Sequence, residues 1–98
     1  MDNTNAVKMS SAEFGELCNQ AVRKVLSCWG DTQLEDHDGW YYIEGRHKWS
    51  PLYCNWKDSK YEIISALTKC GALSIRVTSC KWNYVEVYFS KPKRIKKS

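Results

Sequence analysis

The segment from Trp82 to Phe89 carries the sharpest polarity pattern in the chain. Val85, Val87 and Phe89 alternate with Trp82, Tyr84, Glu86 and Tyr88. Successive side chains of a strand point to opposite faces, so this pattern predicts a strand with an aliphatic core face and an aromatic outer face. Just upstream, Leu73, Ile75 and Val77 alternate with Ser74, Arg76 and Thr78. Together the two runs predict a hairpin with its turn at Ser79-Cys80-Lys81.

Two other stretches repeat at helical spacing. Phe14, Leu17, Cys18, Ala21, Val25 and Trp29 form a stripe that Val22 and Leu26 widen, with Glu13, Glu16, Asn19, Arg23 and Lys24 off it. This predicts an amphipathic helix. Ser10-Ser11-Ala12-Glu13 has the form of a capping box at its start, and Gly30 is read as its stop. Ile63, Ile64, Ala66, Leu67 and Cys70 predict a second helix. Ser59 with Glu62 reads as its capping box, and Gly71 as its close. Between the helices, 31–38 reads as an acidic loop. Trp40-Tyr41-Tyr42-Ile43-Glu44 reads as a short strand, Gly45-Arg46 as a turn, and His47 to Cys54 as the return strand with a bulge or edge position at Pro51. The pattern does not say which of Tyr41 and Tyr42 faces inwards.

The predicted class is therefore α+β in the order α-β-β-α-β-β, with a four-stranded, mainly antiparallel sheet and both helices on one face. That order is a circular permutation of the split βαβ of ferredoxin-like folds, and the permuted arrangement is the architecture expected here. It makes the last strand and Lys48–Cys54 the central pair. Phe14, Leu17, Val25, Ile64 and Leu67 are expected to pack on Leu73, Ile75, Val77, Val85, Val87 and Phe89. No internal repeat is strong, although each half reads helix, loop, hairpin.

Length and charge refine this picture. Ninety-eight residues suit one domain, divided here into a leader (1–9), a body (10–90) and a basic tail (91–98). The net charge of +4 is unevenly placed: residues 1–90 hold ten Lys/Arg against eleven Asp/Glu, whereas 91–98 holds five Lys/Arg and no acid. The five cysteines, Cys18, Cys28, Cys54, Cys70 and Cys80, are odd in number and widely spaced. With a polar start and no apolar run of membrane-span length, they point to an intracellular protein, of cytoplasm or nucleus, with free thiols and no membrane partner.

No catalytic or metal-binding motif emerges. The only histidines are His37 and His47, no Cys-x-x-Cys pair occurs, and the glycines stand singly, so neither a zinc site nor a phosphate loop is expected. No catalytic residue, metal or cofactor is assigned. The surplus of Trp and Tyr points instead to binding, because their polar atoms need partners when buried. The expected function is that of a small non-enzymatic regulatory module acting on a protein partner, as inhibitor, adaptor or self-associating subunit. Its expected contacts are Trp82, Tyr84, Tyr88 and Arg76, joined by Trp49 and Tyr53. The alternative is a nucleic-acid-binding protein that stacks bases on the same face. In that case Arg46, Lys48, Lys81, Lys91, Lys93, Arg94, Lys96 and Lys97 are the candidate phosphate contacts.

Overall fold

Helix α1 (Ser11–Val25) starts where the sequence says it should. The Ser10 hydroxyl accepts from the Glu13 N–H at 3.1 Å, and the Glu13 carboxylate accepts from the Ser10 N–H at 3.0 Å. In the computed structural model, which describes residues 7–26, 30–47, 56–81 and 84–92, the remaining elements are β1 (Gly30–Asp36), β2 (Trp40–His47), α2 (Trp56–Cys70), β3 (Leu73–Lys81) and β4 (Tyr84–Ser90). The four strands form one antiparallel sheet in the order β1-β2-β4-β3. Joining the first and last strands of a ferredoxin-like sheet by a hairpin, and opening the chain before its first helix, produces this order. The α+β class, the element sequence and the permuted arrangement are as expected.

Several boundaries differ from the sequence reading. The stretch 31–38 is not a loop: most of it is β1, paired with β2 from Gly30↔His47 to Asp36↔Tyr41. The turn lies at Asp38-Gly39, where φ is +55° and +115°. Both angles are in the region that a tight two-residue hairpin requires, and the His37 N–H bonded to the Trp40 carbonyl at 2.9 Å closes it. Gly45-Arg46 is not a turn. Gly45 lies buried in mid-strand, paired with Thr32 on one side and Val85 on the other. The central pair is therefore β2 with β4, not Lys48–Cys54 with β4. Gly30 opens β1 and does not stop α1, which ends at Val25 with Leu26 as its cap. Helix α2 already runs from Trp56, so Ser59 lies within it and is not its N-cap. At the other end of α2, the Gly71 N–H bonds the Thr68 carbonyl and the Ala72 N–H bonds the Leu67 carbonyl, the paired bonds of a glycine-closed helix. Ser79, Cys80 and Lys81 continue β3 and do not turn.

Both helices cover one sheet face. Phe14, Cys18 and Val22 of α1 and its cap Leu26, four residues apart, form one buried stripe, and Ile63 with Leu67 forms the matching one on α2. They close on Tyr41 and Ile43 of β2 and on Val85, Val87 and Phe89 of β4. Of the two adjacent tyrosines, Tyr41 is the inward one. Its ring stacks on Phe89 at 5.0 Å and lies 5.7 Å from Phe14, while its hydroxyl donates to the Ser11 carbonyl at 2.8 Å. That bond satisfies the one polar atom that would otherwise oppose its burial. Ile75 and Val77 pack against the core only in part, and Leu73 is 46% exposed, outside it.

Candidate functional site

The period of two that puts Tyr41, Ile43, Val85 and Val87 under the helices puts Tyr42, Glu44, Tyr84, Glu86 and Tyr88 on the opposite face, which no element among the described residues covers. At its centre Glu44 of β2 stands directly opposite Glu86 of β4. Like charges in this position destabilise a sheet, and two tyrosines offset the effect. Tyr42 donates its hydroxyl to Glu86 Oε2 at 2.7 Å. Tyr84 lies 2.7 Å from Glu44 Oε1 and 2.6 Å from Glu86 Oε2, so its single proton serves either carboxylate. The two phenolic oxygens are 3.2 Å apart. Arg46, opposite Tyr84, holds its guanidinium 5.1 Å from that ring centre and donates to Glu44 Oε1 at 3.3 Å.

Two phenols beside two carboxylates resist ionisation. Burial, then hydrogen bonding to Glu86, pushes Tyr42 up to about 12. The bond to Glu86 first, and those to Tyr42 and Glu44 next, hold Tyr84 well above the usual tyrosine range. The centre of the face is thus an acidic patch framed by neutral hydroxyls.

Aromatic rings continue from it towards the Asp38-Gly39 turn. Tyr42 and Tyr88 lie 4.9 Å apart, Tyr88 and Trp40 6.1 Å, and His37 stacks on Trp40 at 4.0 Å. The His37 Nε2 is 2.9 Å from Glu35 Oε1. Trp40 is 46% exposed and Tyr88 36%. Between them and β3 is a shallow recess of about 270 Å³ whose wall includes Ser74, Arg76 and Thr78.

Of the residues expected to bind, Tyr84, Tyr88 and Arg76 do share the open face, Arg76 opposite Tyr88. Trp82, Trp49, Tyr53, Lys48, Lys93, Arg94, Lys96 and Lys97 lie outside the described residues, as does the side chain of Lys81. Arg46 is held over Tyr84. Lys91 sits at the end of the sheet, its N–H on the Gly39 carbonyl and its ammonium on the Val7 carbonyl at 3.1 Å. The sequence reading missed Trp40, Tyr42, Glu44 and His37. A signal for three of them was present: Trp40-Tyr41-Tyr42-Ile43-Glu44 recurs as Trp82-Asn83-Tyr84-Val85-Glu86. This five-residue repeat, Trp-x-Tyr-aliphatic-Glu, places the same Tyr-x-Glu unit on both central strands, and antiparallel pairing sets the two units against each other.

Among the described residues, no His, Cys, Asp and Glu side chains gather in a group able to hold a metal ion, and no helix is long and apolar enough to cross a membrane. No protein-family model, curated protein or solved structure matches the chain.

Proposed function

We propose that the chain is a small, non-enzymatic regulatory binding module that takes a protein partner on the open face of its sheet. The observation that carries this reading is the opposed Glu44–Glu86 pair at the centre of the aromatic surface. A phosphate backbone laid along the sheet meets these carboxylates and Glu35, whereas a protein surface supplies the N–H and cationic donors that carboxylates and tyrosine hydroxyls accept. Exposed Trp and Tyr beside an arginine are also the usual anchors of protein interfaces. The second reading, single-stranded nucleic acid, draws its support from the recess where Arg76 stands beside Trp40 and Tyr88.

Affinity capture from native cells, with and without nuclease, separates the two. The expected result is a protein captured equally in both, and lost with Tyr88→Ala while the thermal unfolding midpoint stays close to that of the parent; Tyr84→Ala, which leaves Glu44 and Glu86 opposed without their shared donor, is expected to lower capture and stability together. Capture that disappears on nuclease treatment, with binding to single-stranded probes that weakens steeply in salt, favours nucleic acid.

A further inference from the structure

The two outer strands of the sheet are built differently. On β3 the register slips between Leu73 and Arg76 and again between Val77 and Ser79. Bulges of this kind spoil an edge for further pairing. On β1 the register is unbroken from Gly30 to Asp36. The bond from the His37 N–H to the Trp40 carbonyl fixes which groups of β1 look outward. Directly opposed antiparallel residues alternate between bonded and non-bonded pairs. Glu35, Gln33 and Asp31 therefore turn their N–H and C=O groups to β2, and Asp36, Leu34 and Thr32 turn theirs away from the sheet. Among the described residues nothing pairs with that outer row.

Charge decides what it can accept. Strand β1 holds Asp31, Glu35 and Asp36 and no Lys or Arg, and Asp38 follows in the turn. A second copy presenting the same edge sets acid against acid, which disfavours pairing. The Asp36 carboxylate is engaged by the Ser11 hydroxyl at 2.9 Å and the Asp38 N–H at 3.0 Å, and Arg23 of α1 donates to the Thr32 hydroxyl at 3.2 Å. We propose that the β1 edge takes an extended, lysine- or arginine-rich segment of a partner protein as a fifth strand, with Leu34 and Asp36 supplying the backbone ladder and Glu35 selecting its charge. Strand addition draws affinity from main-chain bonds and specificity from alternate side chains. The inference concerns the edge of the sheet and does not depend on the open-face reading.

The test uses the full chain, labelled for NMR, and an acetylated, amidated nonapeptide of alternating Lys and Val at low ionic strength. The amides of Leu34 and Asp36 are expected to shift together and to become at least about tenfold slower in hydrogen exchange, as buried ladder donors do. The same peptide methylated on alternate backbone nitrogens, and a Glu/Val counterpart, are expected not to bind. Glu35→Gln is expected to weaken binding roughly 1.4- to fivefold, the range for one solvent-exposed ion pair. The proposal is overturned by equal binding of the methylated peptide, by shifts confined to Tyr42, Tyr84 and Tyr88, or by no binding. Protection of β1 that grows with protein concentration alone also overturns it, because the edge would then be pairing with itself. Loss of partner capture by the Tyr88 variant leaves these results unchanged, so failure of either reading is separately visible.

Discussion

Glu44 and Glu86 face each other across the two central strands, and each accepts a hydroxyl from a tyrosine two residues along the other strand. The arrangement is reciprocal: Tyr42 and Glu44 on β2, Tyr84 and Glu86 on β4. It ties the protonation of the phenols to the fold. Unfolded tyrosines ionise near pH 10, while Tyr42 in the fold is held to about 12 and Tyr84 is also raised. Above about pH 10 the unfolded chain therefore binds fewer protons than the folded one, and stability falls as pH rises through the folded values. Thermal unfolding followed from pH 8 to 12 should show this loss, with late phenolate absorbance from Tyr42 and Tyr84, and from Tyr41, which burial also raises. Glu86→Gln should bring both phenols towards 10 and flatten the decline. Uniform titration of all the tyrosines near 10 would contradict the hydrogen-bonded cluster.

Gly15 is expected to resist replacement even by alanine. A methyl group there would come 2.9 Å from Tyr41 Cε2 and 3.1 Å from Leu34 Cδ2. The Tyr41 ring has little freedom to move, being stacked on Phe89 and anchored through its hydroxyl to Ser11. Alanine gains about 1 kcal/mol in helix propensity, but overpacking a fixed site costs about 1–3 kcal/mol. Gly15→Ala should thus lower the urea midpoint; a rise would mean that α1 lifts off β2 at little cost.

Ser74 is predicted to be a point of stored backbone strain. Its φ is +54°, and it stands where two β3 residues oppose Phe89, a bulge position that favours glycine. An L side chain in this region costs about 1–2 kcal/mol. Ser74→Gly should keep or raise the unfolding temperature, and Ser74→Val should lower it. The reverse order would show that the local bulge geometry is wrong.

Among Cys18, Cys70 and Cys80, the thiol of Cys70 should react first with iodoacetamide. Coupling to the neighbouring Cys18 thiol lowers the Cys70 thiol below its ordinary value, while burial pushes Cys80 up. Mapping of alkylated peptides against pH should show Cys70 labelled at lower pH than Cys80. Cys18→Ala, which removes the neighbouring thiol, should slow labelling at neutral pH, and Cys18→Ser should restore much of it. Equal labelling in all three backgrounds would contradict the coupling.

Local chemistry was legible wherever it is self-contained. The Ser10–Glu13 cap, the stripe of α1, the glycine closing α2 and the two faces of β4 all follow from spacing and side-chain type, because each is satisfied within one turn or one strand. The first hairpin was misread for a physical reason. Gly45 looks like punctuation, but its φ is not positive; it is a residue without a side chain where three strands meet. Asp38-Gly39, the true turn, is the dipeptide that supplies two positive φ angles, and its acidic flank disguised β1 as a loop. That flank can be a strand because β1 is an outer strand with Gln33 and Glu35 exposed, so only Thr32 and Leu34 need turn inward.

From its own order of residues the chain determines an α-β-β-α-β-β domain with an aliphatic layer beneath an aromatic one, since periodicity alone dictates which side chains share a face. Tertiary pairing decided the rest. Only the register of β2 on β4 makes Glu44 meet Glu86 and gives each a tyrosine from the other half of the chain, because a contact between residues about forty apart depends on which strands become neighbours.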